Sequence, residues 1–287
     1  MEQAAEISSA AAAPQKREQA PHRTARYGAY LAGIQREKRK IILCQIALIA
    51  GFLVLWQIAP KAGWVNPMLT SYPTAVIATL STMAADGTLF THTLATLKST
   101  VIGFTGGMVL GILAAVALWW SPFIYRTLDP FVVVLNALPK IALVPIFYIW
   151  LGDKSSIYAM AIVISVFVTI LMLYTGFCSI DPNKIKLVRI WGASRFQVLT
   201  KVILPGSVPT MISTLKVNIG LALVGVVVGE FQAANAGLGF LINYGSQIFQ
   251  MNLVMASIVS LALLSTLLFI AVQLLEGFIM RRRSAGA

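Results

Sequence analysis

Of the chain's 287 residues, 58% are hydrophobic and only 11% are charged. Soluble domains carry about a quarter charged residues, so the composition excludes a water-soluble enzyme or binding module and points to an integral membrane protein. The formal net charge of +12 does not indicate nucleic acid, because no groove-reading motif or aromatic interleaving accompanies the basic residues.

Residues 1–40 form a polar, basic N-terminal tail with Lys16, Arg17, Arg23, Arg26, Arg36, Lys38, Arg39 and Lys40. It is expected to be disordered to about Arg26, and Tyr27–Ile34 is a candidate to lie on the membrane surface. A leader of this length is too long for a signal peptide, so the uncharged run at residues 41–59 is a first membrane anchor. Residues 60–91 are a connection on the far side, residues 92–280 the core, and residues 281–287 a short basic tail.

Six apolar segments approach the about 20 residues that span a bilayer. After Ile41–Ala59 they are Val101–Trp120, beginning near His92, then Phe123–Leu151, Ser155–Phe177, Gly206–Gly229 and Asn252–Ile279. The expected fold is therefore all-α, with six transmembrane helices. All but five of the 22 Lys and Arg lie in the tail, at Arg126, in Asp181–Pro205 and at Arg281-Arg282-Arg283. The opposite loops hold only Lys61 and Lys154, which places both termini and Asp181–Pro205 in the cytoplasm.

Within the spans, Gly103, Gly107 and Gly111, and again Gly225 and Gly229, recur every fourth residue. They make smooth faces for close helix approach, within one subunit or at a dimer seam. Pro139 and Pro145 interrupt the third span, as helices that line pathways often are interrupted. Lys140 and Lys216 lie at membrane depth and are candidates either to line a pathway or to pair inside the bundle. Glu230 is a gate candidate or an interfacial charge, and Lys98 and Glu276 are near enough to span ends to reach water. Cys44 and Cys178 offer no disulfide framework and read as small buried hydrophobes. His22 and His92 have no second ligand at metal spacing.

The polar interruption Asp181–Pro205 carries Lys184, Lys186, Arg189, Arg195 and Lys201, too many charges for hydrocarbon. Ile185, Val188 and Trp191, then Phe196, Leu199, Val202 and Ile203, recur at three- and four-residue steps and predict two short amphipathic helices. Asp181-Pro182 supplies an N-cap and a first-turn proline, Gly192 stands where the first helix ends, and Pro205 is expected to end the second. The stretch reads as a helical elbow. Gly152-Asp153-Lys154-Ser155 imitates the end of a phosphate-binding loop but lacks its glycines. With no nucleophile elbow or metalloprotease helix either, the chain is not expected to be an enzyme and needs no cofactor of its own.

The elbow resembles the cytoplasmic motif of binding-protein-dependent ABC importer permeases, in which Glu-Ala-Ala, three residues, Gly, nine residues and Ile-x-Leu-Pro follow in order. Gly192 takes the Gly and Val202-Ile203-Leu204-Pro205 takes the Ile-x-Leu-Pro, with Val for Ile, while the opening triplet reads Lys186-Leu187-Val188. Ser71-Tyr72-Pro73-Thr74, Leu135-Asn136-Ala137-Leu138-Pro139, Ala142-Leu143-Val144-Pro145, Trp150-Leu151-Gly152 and Asn235-Ala236-Gly237-Leu238-Gly239 are similar to motifs of the nitrate, taurine and aliphatic sulfonate branch.

The resemblance implies a type I importer in the bacterial inner membrane. It comprises two permease copies as a homodimer, two ATPases holding ATP and Mg, and an extracytoplasmic solute-binding protein. Lys186, Arg189, Trp191, Gly192, Ala193, Ser194, Arg195 and Phe196 would couple to the ATPase. Asn136, Pro139, Lys140, Lys216 and Glu230 are the pathway candidates, for a sulfonate-, nitrate- or vitamin-like solute. The rival reading, an ion-driven secondary transporter, calls for inverted repeats and midplane carboxylates that the sequence does not display.

Overall fold

Hydrocarbon offers no partners for backbone N–H and C=O groups, so long apolar runs close their hydrogen bonds internally as helices. The structure, a computed structural model, describes residues 25–284. The expectation of a disordered tail falls mostly on residues 1–24 and lies outside that range.

The helices in chain order are α1 (Ala25–Lys61), α2 (Pro67–Thr70), α3 (Pro73–Ala85), α4 (Thr88–Trp120), α5 (Pro122–Ala137) and α6 (Val144–Cys178). They continue with α7 (Pro182–Ile190), α8 (Arg195–Val198), α9 (Leu204–Gly206), α10 (Val208–Ala233), α11 (Leu238–Gln247) and α12 (Met251–Ser284). A 3-10 turn occupies Lys140–Leu143 and a π-helical turn Leu199–Ile203. Five of the helical segments among the described residues are long and apolar enough to cross a membrane.

The described residues divide into two units, one before and one after the boundary between Ile58 and Ala59. In the first unit α1 runs without a break through Tyr27–Ile34 into the apolar stretch that begins at Ile34. In the second unit the expected third span, Phe123–Leu151, is not one helix. Leu138 is pushed to extended geometry by Pro139 (φ −62°, ψ 139°), which ends α5 after 16 residues. The chain then makes the 3-10 turn, enters α6, and breaks again at Gly152 (φ 72°, ψ −177°). Tyr125 of α5 stacks on Tyr174 of α6 with ring centroids 4.3 Å apart.

The core is α6 held between α4 and α10. A Cβ placed at Gly107 or Gly111 would meet Ser165 or Thr169, one at Gly103 would meet Ala161, and one at Gly229 would meet Ile157. The glycine repeats therefore form internal seams along α6. At the far side, α12 packs on α10, α11 and α3, and Ser71 Oγ donates to Asn252 Oδ1 at 2.7 Å. Cys44 and Cys178 are exposed thiols, which corrects the expectation of burial.

The coupling elbow and the polar groups at membrane depth

Asp181 caps α7 by accepting from the Asn183 N–H at 2.8 Å, with Pro182 in the first turn. The helix stops in a paired motif: the Gly192 N–H donates to Arg189 O (2.9 Å) and the Ala193 N–H to Val188 O (3.1 Å). This C-terminal closure requires the residue after the cap to be left-handed, and Gly192 is there, with φ +80°. A reciprocal capping box opens α8: Ser194 Oγ accepts from the Gln197 N–H, and Gln197 Oε1 accepts from the Ser194 N–H. Its Ser-x-x-Gln spacing is a local signal that periodicity alone does not use.

The second helix does not end at Pro205. Its backbone widens into the π-helical turn, where the Leu204 N–H reaches Leu199 O, and then runs on through α9 toward α10. A proline lacks an N–H and crowds the carbonyl four residues back, and a wider turn accommodates both.

The elbow has two faces. Inward, Val198, Leu199 and Ile203 join Ala115, Leu173 and Phe177 in one buried cluster, with Ile185, Val188 and Ala193 packed on it. Outward, Leu187, Ile190, Trp191 and Phe196 are exposed, Ile190 and Trp191 by 81% and 79%. The periodicity predicts Trp191 and Phe196 as part of the apolar faces; the structure turns both away, and Val198 takes the inward place. Arg195 is partly engaged within the chain, donating from Nη1 to Trp120 O at the end of α4 (3.2 Å). The five basic side chains of the elbow are all exposed.

The charges at membrane depth are all held. Lys140 donates to Asn136 O at 2.7 Å, satisfying a carbonyl freed where α5 ends, and stands 5.8 Å from the Phe167 ring centroid. Lys216 of α10 pairs with Glu276 of α12 at 2.6 Å. Replacing Lys216 by Met alone leaves a half-buried carboxylate unpaired. It should lower stability more than the double change Lys216→Met with Glu276→Leu, and a double-mutant cycle read by thermal unfolding should show coupling of about 1 kcal/mol or more. Additivity of the two changes would contradict the pair.

Glu230, 2% exposed, is a loop clamp. Its carboxyl oxygens lie 2.9 and 3.0 Å from Thr96 Oγ1, and its Oε2 accepts from the Gly239 N–H at 2.8 Å. The Leu238 N–H donates to Thr96 Oγ1 at 2.8 Å, and the Gly237 N–H to His92 Nδ1 at 2.9 Å. Gly237 and Gly239 lie against the Glu230 side chain with no room for a Cβ. His92, isolated in the sequence, is thus part of this clamp.

The chain is similar to several known proteins. The chain is 27% identical over 241 residues to the taurine transport system permease protein TauC of Escherichia coli, covering 82% of this chain and 88% of that one. It is 30% identical over 229 residues to the formylaminopyrimidine transport permease protein ThiX of Halalkalibacterium halodurans, covering 79% and 91%. The riboflavin transport system permease protein RibX of Chloroflexus aurantiacus matches at 29% over 230 residues, covering 80% and 86%. The fold matches a chain of the MetNI methionine ABC transporter, solved in inward-facing conformations, with a TM-score of 0.60 at 19% identity over 67% of this chain and 96% of that one. The family model for the inner membrane component of binding-protein-dependent transport systems matches residues 107–284, and the chain belongs to that family as a permease subunit of an ABC importer.

Proposed function

We propose that the outward face of the elbow docks on a separate cytoplasmic ATPase, and that two copies of this chain form the pathway with two such ATPases. The observation that carries this reading is the two-faced elbow: a capped, core-anchored strut that leaves Leu187, Ile190, Trp191 and Phe196 uncovered. An exposed apolar patch between five basic side chains suits a partner cleft with acidic rims. Closure of the ATPase pair on ATP would push the elbows, and the seams along α6 would pass that push to α4 and α10. The basic distribution supports both termini in the cytoplasm.

In this reading an extracytoplasmic binding protein delivers a small solute to the opposite end. The named solutes of relatives, taurine, formylaminopyrimidine and riboflavin, support a small polar solute. Asn136, Pro139 and Lys140 are the pathway residues of choice, since they sit at the break between α5 and α6 where backbone groups are free of helix bonds. Lys216 and Glu230 act in the same bundle as an interhelical pair and a loop clamp.

Co-expression with the cognate ATPase tests the coupling reading. Trp191→Ala with Phe196→Ala should cut recovery of the ATPase with tagged permease by at least tenfold, while Lys61→Gln leaves it unchanged. Equal recovery from both would contradict the docking face.

A further inference from the structure

At the end of the bundle away from the elbow, α4, the break in α6 and the loop after α10 border an open cavity of about 570 Å³. Lys98 and Lys154 line it, with Ser99, Tyr158, Asn235 and Asp153. Asp153 lines the same cavity but forms no ion pair with either lysine. That carboxylate is turned to Asn235, whose Nδ2 lies 3.5 Å from Oδ2. Ser99 is only 9% exposed, and its hydroxyl takes no partner among the described residues although it borders the cavity. That hydroxyl opens onto the cleft and is free to bond a ligand or water. The helix also restarts at Asp153, after Gly152, which adds the positive end of its dipole to the two lysines. Interrupted helices in transporters aim that end at anionic groups.

We propose that this cavity is a reception site for a small anion, the sulfonate-, carboxylate- or phosphate-like head group of the transported solute. The proposal rests on the reading of this end of the chain as the side where solute arrives. Lys98 and Lys154 supply the charge, and Ser99, Tyr158 and Asn235 supply neutral hydrogen bonds. Asp153 sets the affinity low enough for release, because its carboxylate opposes the anion it stands beside. The Glu230 clamp holds the wall formed by Asn235 and its neighbours, through Gly237 and Gly239.

The test is fluorine NMR on the purified full-length permease in phosphatidylcholine nanodiscs, with trifluoromethanesulfonate as probe and trifluoroethanol as its neutral counterpart. Trifluoromethanesulfonate should broaden and be displaced by ethanesulfonate, whereas trifluoroethanol should not broaden. Lys98→Gln and Lys154→Gln should each weaken binding tenfold or more. Asp153→Asn should tighten it severalfold, a direction that loss of fold cannot produce, and Lys61→Gln should leave it unchanged. Equal binding by the lysine variants and the native chain, or equal broadening of the neutral probe, overturns the site. Displacement of the probe by phosphatidylglycerol in the nanodisc, but not by ethanesulfonate, would show a lipid head group as the occupant and overturn it as a solute site. The measurement omits the ATPase, so its failure leaves the coupling reading standing, and failure of ATPase recovery leaves this site standing.

Discussion

Gly192→Val should abolish coupled transport, lowering ATP-driven uptake by more than tenfold while the permease still inserts and retains its helix content. A Cβ added at Gly192 would meet no atom within 4 Å, so the effect is conformational, through its φ of +80°. The left-handed region costs a non-glycine residue roughly 1–2 kcal/mol, and a β-branched one more. The chain would relieve that strain by opening the paired closure of α7, which turns Ile190 and Trp191 away from their present direction. Gly192→Asn should keep most of the activity, because Asn tolerates this conformation. Uptake by the Val variant at the native rate would show that the corner does not transmit force.

Gly225→Val should destabilise the permease by about 3 kcal/mol, read as a lower unfolding temperature in detergent. A Cβ at Gly225 falls 2.7 Å from Ala161 Cα and 3.1 Å from Met160 O. These are backbone atoms of α6, which no rotamer change can move aside. Gly220→Val, on the same helix with nothing within 4 Å, should cost less than about 1 kcal/mol. Equal shifts for the two variants would contradict the close seam between α6 and α10.

Much of this architecture is legible from residue spacing. The cap at Asp181-Pro182, the corner at Gly192 and the glycine seams each follow from local rules that tertiary contacts reinforce. The third span departs from expectation because hydropathy averages over Leu138-Pro139, whose backbone demands break one apolar run into α5, a turn and α6, whereas the break at Gly152 falls between the expected third and fourth spans. Pro205 is not a stop because a π-helical turn absorbs a proline without ending the helix. The Glu230 clamp has no local signature. Thr96 and Glu230 are 134 residues apart in sequence, and nothing local links His92 to Gly237. The outward turn of Trp191 is equally hidden, since an apolar stripe does not say whether its partner is this chain or another.

Coverage of Leu187, Ile190, Trp191 and Phe196 by the ATPase is the step on which the coupling mechanism depends. Amide hydrogen exchange on the full permease, with and without its ATPase, tests it most directly. Exchange should slow across residues 187–196 when the ATPase is added and stay unchanged across residues 234–239 at the opposite end. Unchanged exchange in the elbow, in a complex that still hydrolyses ATP and imports solute, would contradict the docking mechanism.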